Sequence, residues 1–301
     1  MWIVLALMVR LLWAGTNATD QILSRIHPRH KTLAALVLQF TCYVPCAAVA
    51  WAFAGSFVLS TELVLYCAVA VVAGIAGMIP YLVILQGEES YNVVPYLELT
   101  PVFFIALAYI ANGEVLAPIQ LAGAVIVILS GFLFSWDFEN THFKVKPLIY
   151  LSASSLCWAG FQYAMSRAQA IAGGVWPVLA LQYTLASIIG LALFTIFGDV
   201  RKTVVETLVA TKGRSSFPAL LTSVLEVAAN GCLLLAFRYA PTPDHVAALS
   251  GVQPLFSFAL ALPLARLFPR HFSKMTLDQQ ALAKLTLIIS IGFGVYLLNR
   301  H

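Results

Sequence analysis

The sequence predicts an all-α membrane protein of ten transmembrane helices arranged as two inverted five-helix repeats, and three observations point that way. Of its 301 residues 61% are apolar and 10% charged, against roughly 45–50% and about 25% in a soluble domain. The apolar residues fall into ten runs close to the roughly 20 residues that a helix needs to cross a bilayer. Short segments of the first half also recur, in the same order, in the second. The runs are continuous rather than alternating, which argues against a barrel, whose strands are about 10 residues long.

The first run, 2 to 23, carries Arg10 in its middle and has neither a charged start nor a small-residue cleavage site, so it reads as a mature span rather than a leader. Arg10, Trp13, Asn17 and Asp20 share one helix face. The Asn17-Ala18-Thr19 sequon stands at the end of a membrane run and reads as fortuitous. The second run, 33 to 54, holds Cys42 and Cys46; the third, 63 to 85, holds Gly74, Gly77 and Pro80. The fourth, 93 to 111, follows Glu88, Glu89 and Asn92 and contains Glu98, Pro95 and Pro101, so nine spans is the alternative count. The fifth is 116 to 136.

The sixth run, 148 to 170, puts Ser155, Trp158 and Gln162 on one face with Tyr163 beside it, and the seventh, 176 to 197, carries Gln182 and Tyr183 near its start. Residues 199 to 215 have valines at helical spacing among basic residues, which suits either an interfacial helix or a solvated loop. The eighth run, 217 to 238, sets Glu226 and Asn230 four apart. The ninth, 245 to 267, has a stripe of Ser250, Gln253 and Ser257 with Pro254 and Pro263, and the tenth is 280 to 298. The halves are thus 1–136 and 148–301, joined by 137–147. Pairs such as Gly74 with Gly77 and Ala186 with Gly190, together with Gly123, suit close helix packing.

All five cysteines lie in apolar runs without metal-ligand spacing. Most of the 17 basic residues collect on one side of a ten-span chain, among them Arg25, Arg29, Lys31, Lys144, Lys146, Lys212, Arg214, Arg270 and Lys274. Positive loops stay cytoplasmic, so charge places both termini outside.

The internal echoes pair Leu12-Trp13-Ala14-Gly15 with Cys157-Trp158-Ala159-Gly160, Thr100-Pro101-Val102-Phe103 with Gln253-Pro254-Leu255-Phe256, and Gly131-Phe132-Leu133-Phe134 with Gly294-Val295-Tyr296-Leu297. Five spans per half is odd, so the second half would enter from the opposite face, a construction shared by many secondary transporters.

The same residues carry a family likeness. Pro101-Val102-Phe103, Asn112-Gly113-Glu114, Gln120, Gly123 and Gly131, with Trp13-Ala14-Gly15 and Trp158-Ala159-Gly160, resemble the signatures of the EamA group of the drug/metabolite transporter superfamily. The resemblance implies solute transport. The chain departs from the family in having the basic stretch Arg266 to Lys274 where an acidic turn is usual, and its charge count opposes the cytoplasmic termini that the resemblance implies.

Ionisable groups at a helix centre cost at least roughly 2.5–3.5 kcal/mol, so they should face a water-filled interior or a partner. Arg10, Trp13, Asn17, Glu98, Trp158, Gln162, Tyr163, Gln182, Glu226, Asn230 and Gln253 are the candidate substrate-binding residues, converging on one cavity for a small polar or amphipathic solute. Acidic groups and aromatics favour an amine or amino-acid-like compound, whereas Arg10 would admit an anion. Glu226 is the candidate for proton coupling; a structural ion pair with Arg10 is its alternative. Neither H-E-x-x-H, G-x-S-x-G nor a P-loop occurs, so the expectation is transport by alternating access, with a channel or scaffold next and an intramembrane enzyme after that. The expected partners are a small-molecule solute, the lipid bilayer and protons; no cofactor, metal or nucleic acid is expected, and oligomeric state stays open. A bacterial-type plasma (inner) membrane is the expected location.

Overall fold

A computed structural model describes residues 1–26, 31–112, 117–134, 136–137, 142–210, 216–240, 243–268, 272 and 279–298. The described residues form thirteen α-helices: α1 (Trp2–Ile26), α2 (Lys31–Ala54), α3 (Thr61–Leu85), α4 (Ser90–Leu97), α5 (Thr100–Asn112), α6 (Pro118–Phe134), α7 (Val145–Ala172), α8 (Val175–Ile196), α9 (Gly198–Ala210), α10 (Ser216–Tyr239), α11 (Pro243–Ala248), α12 (Gln253–Leu267) and α13 (Gln279–Leu298). A two-residue hairpin pairs Trp136–Asp137 with His142–Phe143 between α6 and α7.

The apolar surface faces outward. Leu65 and Val72 of α3, Ile188 and Leu191 of α8 and Val224 of α10 are exposed, while Arg10, Gln21, Glu98, Ser154, Ser155, Thr222, Ser223 and Asn230 are buried. Lipid solvates the outer face of such a bundle and its polar groups turn inward. The protein is therefore a multi-pass, largely membrane-embedded helical bundle.

Among the described residues six segments are long and apolar enough to cross a membrane: Trp2–Ser24, Thr32–Ala54, Thr61–Leu85, Ser90–Ala111, Val175–Ile196 and Phe217–Tyr239. Shorter apolar stretches, Pro118–Ser130 and Leu282–Leu297, lie in α6 and α13. This corrects the expectation of ten transmembrane helices in two inverted five-helix repeats. Helix α7 is long, but Ser152, Ser154, Ser155, Gln162 and Gln169 dilute its apolar content. The predicted ninth run is not one helix: it divides into α11, a 3₁₀ turn at Ser250–Val252 and α12. The fourth run is likewise divided, with Glu98 and Leu99 between α4 and α5. The orientation assigned from charge counted ten crossings and loses its basis with that number. Several residues it leaned on, Arg29, Lys212, Arg214, Arg270 and Lys274, lie outside the described residues, as do Gly113 and Glu114 of the family signature.

Helix α1 packs on α10, α2 on α8, α3 on α7 and α6 on α13. The largest apolar cluster joins α2, α3, α7 and α8 through Phe40, Leu63, Met165 and Leu179 among others. Small residues set the closest approaches. A Cβ added at Gly190 of α8 would lie 2.4 Å from Phe40 Cβ of α2, and one added at Gly77 of α3 would lie 3.2 Å from Cys157 Cβ of α7. At that second contact the Ser154 hydroxyl donates to the Gly77 carbonyl over 2.8 Å.

Local signals fix the helix ends. Ser60 accepts from the Leu63 N–H at 3.1 Å and caps α3. Gly173 ends α7 at φ 62°, the left-handed geometry that glycine reaches without a Cβ clash. At the start of α4 the Ser90 N–H donates to Gln21 Oε1 of α1 over 2.7 Å. The same end of the bundle holds a Lys144–Glu88 ion pair at 2.8 Å and a Lys284 Nζ to Asn92 Oδ1 bond at 2.9 Å. Helix α9, where a helix or a loop was expected, lies against α2 and α8 with Val200 and Val204 buried and Val205 and Val209 exposed.

Candidate functional site

The site begins with the face of α1. Spacings of three and four residues bring Arg10, Trp13, Asn17 and Asp20 inward together, and they line one partly open cavity. Thr16 adds a hydroxyl to the same wall, although it also donates to the Leu12 carbonyl. Met78 and Tyr81 of α3, Trp158 and Gln162 of α7, Glu226 of α10, and Ser250 with Gln253 close the remaining sides. The break between α4 and α5 brings in Leu97, Glu98, Thr100 and Pro101. A helix that stops inside the membrane leaves backbone groups to be satisfied, which is tolerated where protein or a polar cavity surrounds them.

Arg10, 1% exposed, donates from Nη2 to the Val246 carbonyl in α11 over 3.1 Å. Its guanidinium lies 5.1 Å from the centroid of the Trp13 ring, a cation–π contact. Glu98, 2% exposed, lies within its Coulombic attraction. Glu226 is differently supported: it accepts from Gln39 Nε2 at 2.7 Å and from the Tyr43 hydroxyl. Gln39 also donates to the Tyr43 oxygen over 3.1 Å, so two residues one turn apart on α2 form a neutral clamp. The Tyr81 hydroxyl donates to Asn17 Oδ1 over 3.0 Å.

Several buried polar atoms here have no hydrogen-bond partner within the protein, among them Arg10 Nε, Asn17 Nδ2 and Asp20 Oδ1, while the Ser250 hydroxyl lies close enough to Glu98 to interact with its carboxyl group. Most buried polar groups in folded proteins are paired, and one left unpaired costs about 1–3 kcal/mol. A cavity wall with both donors and acceptors unspent is chemically equipped to hold a small polar molecule. Among the described residues no group of three or more His, Cys, Asp or Glu side chains is arranged to hold a metal ion.

Of the residues singled out in the sequence, Arg10, Trp13, Asn17, Glu98, Trp158, Gln162, Glu226 and Gln253 meet at this cavity. Tyr163 does not line it; its ring packs edge-on against Phe104. Gln182 lies in a neighbouring chamber, and Asn230 donates to the Tyr183 hydroxyl over 2.9 Å. The structural alternative was an ion pair of Arg10 with Glu98 or Glu226; Arg10 interacts electrostatically with Glu98 but forms a contact ion pair with neither acid. Gln39, Tyr43 and Tyr81 were missed. Gln39 and Tyr43 carry the same four-residue polar spacing that drew attention to Glu226 and Asn230, and that was the usable signal.

No protein-family profile and no curated protein matches the chain. Solved structures do: 26 chains match. One, described only as the crystal structure of a protein, is 15% identical, with a TM-score of 0.57, and the match covers 99% of this chain and 96% of that one. At that identity the likeness speaks to fold alone.

Proposed function

We propose that the protein is a secondary transporter of a plasma (inner) membrane that carries a small polar or amphipathic metabolite, an amine or amino-acid-like compound. It would expose the cavity around Arg10 and Glu226 to one side at a time, with protons as the coupling ion. The observation that carries this reading is the set of unspent polar atoms at one cavity wall inside a membrane bundle. Polar residues that served helix packing alone would be expected to satisfy one another. The lining holds three carboxyl groups, Asp20, Glu98 and Glu226, against the guanidinium of Arg10. An ammonium group is favoured by that balance, and Arg10 leaves a place for a carboxylate beside it.

The likeness to the EamA group of drug/metabolite transporters points the same way, and membership of that group is part of the proposal. No chemical conversion of the solute belongs to it. Purified protein would be screened by thermal shift against amines and amino acids, and the stabilising compounds then tested for flux in liposomes. Saturable uptake driven above equilibrium by an imposed pH gradient is the expected result. Flux that rises linearly with concentration would indicate a channel, and stabilisation without flux would indicate a non-transporting binding protein.

A further inference from the structure

A second, partly open chamber adjoins the first and shares Met78, Trp158 and Glu226 with it. Its chemistry differs. Beyond the shared wall it is bounded largely by apolar groups, among them Phe40, Val71, Ile75 and Phe161. One exception is Gln182, 4% exposed, which lines this chamber with Oε1 unpartnered. A carboxylate at the junction, an apolar pocket behind it and one unspent acceptor within make a graded surface rather than a packing gap.

We infer that this side chamber is a second subsite, which receives the apolar tail of an amphipathic primary amine whose ammonium group sits at Glu226. The inference rests on the transporter reading and narrows its solute class. Glu226 supplies the anion at the mouth, and its bonds from Gln39 and Tyr43 keep the carboxylate oriented there. The aliphatic and aromatic wall gains from displacing water by hydrocarbon. Gln182 adds a preference for a tail bearing a hydroxyl or N–H, because its oxygen can only accept.

The test uses the full-length protein in detergent and the n-alkylamines from methylamine to pentylamine, with affinity read by competition or calorimetry. Each added methylene should raise affinity about fourfold while the tail is entering the chamber. Two variants fill the space from separate helices, Gly74→Leu on α3 and Ala186→Leu on α8. A Cβ at Gly74 makes only an ordinary contact, 3.6 Å to Phe161 Cδ2, so the first carbon of the new side chain is accommodated there. Both variants should bind methylamine as the parent does and lose the gain with chain length. A parent that shows no gain, or variants that keep it, overturns the side chamber while leaving the transporter reading intact. Failure of the parent to bind methylamine and every homologue overturns both.

Discussion

Glu98 and Glu226 bring carboxyl groups to the same cavity by opposite routes. Glu98 stands at a break between two helices, within the attraction of a buried guanidinium. Glu226 stands inside an unbroken helix and is held by an amide and a phenol from α2. The first is part of a charge balance; the second is oriented by neutral donors and faces both chambers. A carboxylate already facing a cation changes its surroundings when it titrates or exchanges partners, whereas one held by neutral donors can trade a proton for a solute cation with less rearrangement. On the proposed transporter reading, the comparison would put a structural role at the Glu98 end and coupling at the Glu226 end.

The largest effect should come from Glu226→Gln. Size is kept and charge removed, so the protein should insert and remain folded while uphill, pH-driven accumulation in liposomes is lost. Normal accumulation with unchanged pH dependence would remove Glu226 from the coupling role. Next is Arg10→Met, which removes the cation that attracts Glu98 and should destabilise by less than the roughly 3–5 kcal/mol lost when a buried contact ion pair is broken. Adding Glu98→Gln to Arg10→Met should recover most of that loss in a thermal or denaturant melt. If the double variant is as unstable as the sum of the singles, the two residues are not a unit.

Two smaller effects sharpen the other end. Gly190→Ala places a methyl where Phe40 already sits, and overpacking of this kind costs about 1–3 kcal/mol. Because Phe40 lies between Gln39 and Tyr43 in the chain, that variant should also weaken solute binding while Arg10→Met/Glu98→Gln keeps its stability. Tyr43→Phe removes one donor to Glu226 and should cost about 1 kcal/mol, measured as a shift in the unfolding midpoint. A fall in amine affinity is expected with it, and an unchanged affinity would show that the phenol does not orient the carboxylate.

Part of this arrangement could be read from the sequence. Four of the five cavity residues of α1, Arg10, Trp13, Asn17 and Asp20, follow from helical spacing alone, since a polar stripe on an apolar run must turn inward. Trp158, Gln162 and Glu226 could be chosen for the same reason. The Gln39 to Glu226 bond could not, because its partners belong to different helices and periodicity within one says nothing about which helix lies opposite. The fourth and ninth runs were each delimited as one span; their prolines signalled interrupted hydrogen bonding, but not that the helices break at Glu98–Leu99 and Ser250–Val252. Helix α7 shows the reverse case. Its serines and glutamines lower its hydropathy, and several of them are spent on neighbours, as in Ser154 on Gly77 and Ser155 on the Tyr96 carbonyl.

The wall common to the two chambers also makes their occupancies inseparable. Trp158, Met78 and Glu226 line both the larger and the smaller space, so a rotamer change of any of them on binding in one chamber would alter the wall of the other. Linkage then requires reciprocity: if a group in the side chamber changes affinity in the main cavity by some factor, the main occupant changes affinity in the side chamber by the same factor. A molecule that fills only the side chamber would therefore act as an effector on a solute confined to the main cavity, and as a competitor of one whose tail extends into the side chamber.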